Sequence, residues 1–177
     1  MQKEIAIPAG IQARYADGIL SITGPKGELK KRMESLDVQL EISEGKIILK
    51  CASERRKAKA VFGAWAAHIK NMFIGVQKGW QASMKVVYSH FPIKVSVEDK
   101  NVKIHNFMGE RSPRLTRLLD GVSVDVKGAD IIIKGIDKEA VGQMAANIEL
   151  TARVKNRDKR IFSDGIWITQ KPKPIEE

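Results

Sequence analysis

The sequence predicts an α+β fold made of two duplicated domains, each an antiparallel sheet packed against one α-helix. Three observations support this prediction: a pattern that occurs twice in the 177 residues, strand segments with alternating apolar residues, and one helical apolar stripe in each half. Hydrophobic residues make up 43% of the chain, enough for a packed core. The predicted domains are residues 1–82 and residues 83–177, and the second ends in a short polar tail.

The duplication rests on two segments of the first half that match two segments of the second half in the same order. Their offsets are 82 and 84 residues: residues 18–29 match 100–111, and residues 37–50 match 121–134. The paired positions include Ile22 and Ile104, Gly27 and Gly109, and Ile47–Lys50 and Ile131–Lys134. Chance explains one match between two β-rich segments, but two matches in order indicate a repeat.

The first half is predicted to contain strands and one amphipathic helix. Val38, Leu40 and Ile42 alternate with polar residues, as in a strand with one buried face. Ser53 is predicted to cap the first helix and Gly75 to end it. The apolar stripe of this helix is Val61, Trp65, Ile69 and Met72.

The second half repeats this order of elements. Asp137 is predicted to cap the second helix, and a closing strand led by glycine follows each helix, from Gly79 and from Gly165. Residues 111–119 are ambiguous, because their arginines step by three as on a helix while their repeat partner has a strand pattern; we favour a strand. The apolar stripe of the second helix is Val141, Met144, Ile148 and Ala152.

The net charge of +10, from 31 basic and 21 acidic residues, predicts a polyanionic partner. Nucleic acid and an anionic membrane surface are the two candidates. No apolar run approaches the roughly 20 residues of a membrane-spanning helix, and the N-terminus has the pattern of a strand rather than a signal peptide. The one cysteine, Cys51, excludes an intrachain disulfide, which suits a reducing interior. We therefore expect a cytoplasmic protein with no membrane partner.

Enzymatic chemistry is not predicted. His68, His90 and His105 have no second ligand-type residue at metal spacing, so neither a metal site nor a catalytic site is expected. The acidic residues are scattered among basic ones without paired carboxylates, and no glycine-rich phosphate loop is present. We therefore expect no catalytic residue, no cofactor and no small-molecule substrate.

Basic residues cluster most densely after the second helix, in residues 153–160, which we call the basic loop. Crowding these cations is unfavourable unless a polyanion lies nearby, so this loop is the best RNA-binding candidate. Two further groups are residues 26–32 and residues 55–59. A solvated charged face is the alternative interpretation for any of these groups, and we favour it for residues 55–59. The candidate RNA-binding residues are Arg153, Lys155, Asn156, Arg157, Lys159 and Arg160 of the loop, with Arg111, Arg114 and Arg117 as a second group.

Several motifs in order along the chain resemble one known family, that of large-subunit ribosomal protein six. Sequence motifs shared across the whole family resemble three segments of this chain, residues 4–10, 23–29 and 134–148. Residues 87–93, 103–110 and 154–168 resemble its archaeal and eukaryotic branch, and the last of these motifs, VKNRDKRIFSDGIWI, contains most of the basic loop. The resemblance covers nearly the whole chain.

This resemblance implies a structural constituent of the large ribosomal subunit that supports translation. It implies binding to large-subunit rRNA near the sarcin–ricin loop and the stalk base, mainly through the C-terminal domain. The implied partners are this rRNA and neighbouring ribosomal proteins, with translational GTPases nearby. An alternative is a free-standing RNA-binding assembly or processing module, which needs base-reading aromatic residues on a sheet face. The aromatic residues, 6% of the chain, fall mostly at apolar-periodic positions, which disfavours that alternative.

Overall fold

The computed structural model of the chain describes residues 1–43, 45–158 and 160–176. The fold has two compact units, Met1–Gly79 and Trp80 onward, which divide three residues before the boundary expected after residue 82. Antiparallel sheets and one α-helix occur among the described residues of each unit, so the predicted α+β class with two duplicated domains is confirmed.

The first unit places its helix against two antiparallel sheets, of order β1-β6-β5 and β2-β3-β4. Fully buried Leu20 and Ile22 from one sheet, Ile47 and Leu49 from the other, and Ile69 from the helix share one core. The elements of this unit are β1 (Gln2–Ala6), β2 (Gln12–Ala16), β3 (Ile19–Gly24), β4 (Gly27–Arg32), β5 (Val38–Ser43), β6 (Lys46–Cys51) and α1 (Arg56–Gln77).

The second unit has sheets of order β11-β12-β7-β13 and β10-β9-β8. Val102, Ile104, Ile131 and Ile133 are fully buried at the positions that match Leu20, Ile22, Ile47 and Leu49, so the repeat register is also a register of core positions. The elements are β7 (Trp80–Val87), β8 (Lys94–Glu98), β9 (Asn101–His105), a 3-10 turn (Phe107–Gly109), β10 (Arg114–Arg117), β11 (Val122–Lys127), β12 (Asp130–Gly135), α2 (Lys138–Thr151) and β13 (Gly165–Pro174).

The strand that follows Gly79 belongs to the second unit, and the prediction that it closes the first half is wrong. β7 pairs with β12 as β1 pairs with β6: Met84 lies opposite Ile131, and Ile5 lies opposite Ile47. β7 is therefore the counterpart of β1. The two glycine-led segments look alike because each follows a helix, but pairing partners distant in sequence decide which sheet a strand joins. Within the described residues, β13 has no counterpart in the first unit.

Helix α1 begins and ends later than predicted. Arg55 is the N-cap residue and its side chain makes no capping bond, whereas the Ser53 hydroxyl accepts from the Arg55 N–H at 3.3 Å in a turn before the helix. The helix continues past Gly75 to Gln77. Gly79 ends it, because its φ of 78° is a left-handed conformation that glycine adopts without strain, and its N–H donates to the Gly75 carbonyl at 3.0 Å.

Three predictions about the second unit are confirmed. The Asp137 carboxylate caps α2 by accepting from the Glu139 N–H at 2.9 Å, and the predicted stripe, including Met144 and Ile148, is buried. The ambiguous arginine segment forms strand β10, which pairs with β9.

The connection from β9 to β10 is longer than its counterpart in the first unit. Gly27 opens β4, whereas Gly109 ends a 3-10 turn before β10 begins, so their predicted equivalence is wrong. Leu29 and Arg114 instead pair with the equivalent isoleucines of β3 and β9. The extra residues of this connection include Glu110, which contributes to the site described next.

Candidate nucleic-acid interface

The basic loop connects the end of α2 to the start of β13, and buried residues hold it at both ends. Val154 is 7% exposed, and Asp164, just before β13, is 1% exposed. One Asp164 carboxylate oxygen accepts from the Ser89 N–H at 2.8 Å and from the Ser89 hydroxyl at 2.9 Å. Burial alone raises the pKa of the Asp164 carboxyl, but the hydrogen bonds from Ser89, together with the backbone N–H and charge of His90, hold the pKa below its usual value. Asp164 is therefore an ionised tether between two loops.

Asp158 organises the tip of the basic loop. Its backbone carbonyl accepts from the N–H groups of Ile161 and Phe162 at 3.1 and 2.9 Å. Its carboxylate pairs with Arg160, whose Nη2 lies 2.8 Å from Oδ2. The hydrogen bond from Arg160 lowers the pKa of the Asp158 carboxyl. Arg160 is 90% exposed, so it remains accessible to a second anionic partner.

Phe162 packs against both the loop and a neighbouring segment. The Arg157 guanidinium carbon lies 5.1 Å from the centre of its ring, and the His90 ring centre lies 4.9 Å away on a tilted plane. Asn156 adopts a left-handed conformation with φ of 56°, which asparagine tolerates better than most residues. Phe162 is thus half-buried inside the protein's own contacts.

Most of the predicted loop residues lie on the surface. Lys159 lies outside the described residues, so the structure places no contact for it. Because folded packing holds the loop ends and leaves the cations in solvent, the loop has the form of a phosphate-binding element on a rigid base. The exposed members are Arg153, Lys155, Asn156, Arg157 and Arg160.

Arg114, a predicted RNA contact, points instead into the base of the loop. Its Nη1 donates to the carbonyls of Thr151 and Arg153 at 2.8 and 2.9 Å, where α2 ends and the loop begins. Its Nε and Nη2 donate to the two Glu110 carboxylate oxygens at 2.8 and 2.5 Å. The guanidinium carbon also lies 4.1 Å from the centre of the Phe107 ring. These contacts make Arg114 a brace that satisfies carbonyls at the helix end.

The β9–β10 connection lies beside the basic loop. The hydrogen bond from Arg114 lowers the pKa of the Glu110 carboxyl, burial opposes this, and the charges of Arg114 and Lys155 lower it further. Arg111 is exposed next to Glu110 in this connection. The Glu110–Arg114 contact therefore places the connection that carries Arg111 beside the base of the basic loop.

Arg117 lies on a different surface. Arg114 and Thr116 share the inner face of β10, where the Thr116 hydroxyl donates to the Thr151 hydroxyl at 2.7 Å. Successive strand residues face opposite ways, so Arg117 and the 58% exposed Leu115 share the outer face. The three predicted arginines thus do not form one patch.

The basic group in residues 26–32 has partners within the first unit. Lys26 donates to the Lys78 carbonyl, Lys31 Nζ lies 3.1 Å from His68 Nδ1, and Arg32 pairs with Glu34 at 2.6 Å. The group in residues 55–59 is exposed at the start of α1, whose first turn has no acidic residue.

The structure exposes an aromatic residue that the sequence interpretation treated as apolar-periodic. Trp167 is 49% exposed on β13, while its neighbour Ile166 is 1% exposed on the opposite face. Trp167 is therefore an exception to the interpretation that the aromatic residues fall mostly at apolar-periodic positions. The alternation of side chains along a strand predicts this exposure, because Trp167 lies between two isoleucines that face the helix side.

The described residues contain no group of three or more His, Cys, Asp and Glu side chains arranged for a metal ion. Neither helix in the described part of the chain is long and apolar enough to cross a membrane.

Comparison with known families agrees with the two-unit organisation. The family model for Ribosomal protein L6 matches residues 7–79 and residues 91–165, one segment in each unit. The chain belongs to the ribosomal protein L6 family. The resemblance predicted from the sequence motifs is confirmed.

Archaeal members of the ribosomal protein L6 family match nearly the whole chain. The Large ribosomal subunit protein uL6 of Methanosarcina mazei is 42% identical over 175 residues, covering 97% of this chain and 99% of the relative. That of Saccharolobus solfataricus is 42% identical over 172 residues, covering 97% and 95%. Family membership, rather than any missing motif, confirms that the chain is a structural protein and not an enzyme.

Proposed function

We propose that this chain is a structural constituent of the large ribosomal subunit and binds large-subunit rRNA through the basic loop. The observation that supports this most directly is the loop itself, whose described cations are exposed while Arg114 and Asp164 hold its base. Phosphate contacts need cations held in register, and this loop supplies them. The names of the archaeal relatives support the assignment to the large subunit. We place the protein on ribosomes in the cytoplasm.

Within this function, we assign the loop to rRNA near the sarcin–ricin loop and the stalk base. The support is the resemblance of residues 154–168 to the archaeal and eukaryotic branch of the family. Neighbouring ribosomal proteins, with translational GTPases nearby, are the further partners. Ultraviolet cross-linking from a photoreactive residue at position 157, followed by mapping of the cross-linked nucleotides, tests this location. Cross-links confined to another rRNA domain would refute it.

A titration with deproteinised large-subunit rRNA at several salt concentrations tests the loop. Neutralised phosphates release counterions, so the affinity of the wild type falls steeply with salt. Replacing Lys155, Arg157, Lys159 and Arg160 by alanine together flattens the log–log slope, by somewhat less than one unit for each phosphate that the variant no longer neutralises. Circular dichroism checks that the fold persists.

The matched control replaces Arg55, Arg56, Lys57 and Lys59, which removes the same charge from the start of α1. Its slope stays close to wild type if the basic loop is the main RNA contact. If the control variant loses RNA binding while the loop variant binds like wild type, the RNA-binding face lies on the first unit. Co-sedimentation with large subunits in high-salt gradients separates the proposal from a free-standing RNA-binding module, which would not remain bound.

A further inference from the structure

A cavity of about 340 Å³ lies in the second unit, beside the basic loop. It opens between the end of α2, the two ends of the loop and strand β13. Its lining is mainly apolar, and the residues important here are Leu150, Arg153, Val154, Phe162, Asp164 and Trp167.

Two large apolar side chains at this cavity face solvent. Leu150, in the last turn of α2, is 59% exposed, and Trp167 is 49% exposed, whereas the other tryptophans, Trp65 and Trp80, are 8% and 3% exposed. An aromatic ring left open beside a cavity is typical of a surface that a ligand covers.

Gly165 leaves room for the indole of Trp167 beside the strand. A Cβ at Gly165 would lie 3.1 Å from both Cε2 and Nε1 of Trp167, closer than most real Cβ contacts. The indole therefore packs against Gly165, two residues away on the same face of β13.

The exposed charges around the cavity indicate an anionic occupant that carries a flat ring. Arg153 is exposed in its lining, and the Arg157 guanidinium carbon lies 5.1 Å from the ring centre of Phe162, which also lines it. The two carboxylates of the lining already have partners, since Asp164 accepts from Ser89 and Glu149 accepts from the Ile168 N–H. Cations beside an aromatic platform are the combination that holds an unpaired nucleotide, with the phosphate on the cation and the base on the ring. A protein partner of acidic character satisfies the cations but not the aromatic platform.

We infer that Trp167 stacks an unpaired nucleobase of bound RNA at the edge of this cavity, while Arg153 contacts the adjacent phosphate. The inference rests on the proposed function, because it extends the RNA contact of the basic loop onto β13. It assigns to β13, the strand that only the second unit carries among the described residues, a role in recognising single-stranded RNA.

Titration of the full chain into a single-stranded oligoadenylate that carries one 2-aminopurine tests the stacking. The fluorescence of 2-aminopurine falls when the base stacks, so wild type quenches it. Trp167→Leu weakens binding about tenfold, as expected for loss of one base stack, and abolishes the quench. Trp167→Phe restores part of the affinity and part of the quench, because phenylalanine again provides an aromatic ring for stacking.

Tyr88→Leu is the matched control, since it removes a 50% exposed aromatic side chain of the same unit that lies outside the lining of this cavity. Its affinity and quench stay at wild-type values. Trp167→Leu also keeps the wild-type salt slope because it removes no charge, whereas the basic-loop variant lowers the slope. The two proposals therefore fail separately.

Wild-type affinity and quench in Trp167→Leu, or an equal loss in Tyr88→Leu, would overturn the inference. It would also be overturned if Trp167→Leu bound RNA normally but was lost from reconstituted large subunits, a result that assigns this face to a neighbouring protein.

Discussion

Arg114 donates two parallel hydrogen bonds to the Glu110 carboxylate, from Nε to Oε2 at 2.8 Å and from Nη2 to Oε1 at 2.5 Å. The same guanidinium reaches the Thr151 and Arg153 carbonyls with Nη1. One side chain thus joins the β9–β10 connection to the C-terminus of α2 and the first residue of the basic loop. A planar, always charged fork is needed for such a junction, and lysine has no equivalent geometry.

We expect Arg114→Met to lower the free energy of unfolding by about 2–3 kcal/mol, because it removes charge-assisted hydrogen bonds and leaves carbonyls at a helix end unpaired. Arg114→Lys recovers less than half of this loss. Urea unfolding followed by circular dichroism measures both variants. Arg117→Ala, on the outer face of the same strand, stays within about 0.5 kcal/mol. Equal unfolding free energies for the Arg114→Met and Arg117→Ala variants would contradict the role of Arg114 as a brace.

Asp164 predicts a defined pH dependence of stability. Its pKa in the folded protein lies below the ordinary value of 3.8, so its contribution is complete above that value. The contribution is lost as the pH falls through the lower pKa of the folded state. Asp164→Asn keeps an oxygen acceptor for Ser89 but loses the charge.

Urea unfolding at about pH 6 and about pH 3 measures this effect, because the interval spans the ordinary pKa of an aspartate. Wild type loses more stability over this interval than Asp164→Asn does. Asp125→Asn, an exposed carboxylate on β11, is the control and follows the wild-type profile. A variant at position 164 with the full wild-type acid sensitivity would contradict the prediction.

Substitutions of Trp65 and Arg157 compare the stability cost of a core residue with that of a surface residue. Trp65 is 8% exposed in the apolar stripe of α1, and we expect Trp65→Ala to cost about 3–5 kcal/mol in unfolding free energy. Arg157 is exposed, so Arg157→Ala stays within about 0.5 kcal/mol in the free protein. Equilibrium denaturation of both variants measures these costs. Coincident denaturant midpoints would mean that the buried face of α1 is misassigned.

Local patterns in the sequence predict much of this fold. The paired positions Ile22 and Ile104 both lie fully buried, because a strand with one buried face repeats its apolar residues every second position. Asp137 is a correct cap prediction because capping depends on neighbouring residues. The start of α1 is harder to predict, because a serine two residues before the cap forms a local turn instead.

Non-local relationships account for what the sequence did not predict. The assignment of β7 to the second unit depends on pairing with β12 and β13. The inward direction of Arg114 depends on Glu110 and on the helix end, which meet it only in the folded chain. The basic loop itself is predictable, because charge density is a property of sequence. The role of each cation is not, because it depends on the residues that surround it in the folded chain.

The ion pair between Asp158 and Arg160 predicts a gain of function. Asp158 is the one acidic residue among residues 153–160, and its carboxylate occupies Arg160. Asp158→Asn retains an oxygen that accepts from the Arg160 N–H, so the turn persists, while the charge is removed. An exposed pair of this kind contributes only about 0–1 kcal/mol to stability. We therefore expect unchanged stability and RNA affinity raised by a few fold at low salt, because the loop potential becomes more positive.

Filter binding of large-subunit rRNA at several salt concentrations measures this gain, which shrinks as salt screens the loop charges. Glu98→Gln is the control, since it removes a carboxylate paired with Lys103 at 2.6 Å in β8 and β9, outside the basic loop. Its affinity stays near wild type. Weaker binding by Asp158→Asn at every salt concentration would show that the Asp158–Arg160 pair holds the loop in its binding conformation, and that this pre-organisation outweighs the added positive charge.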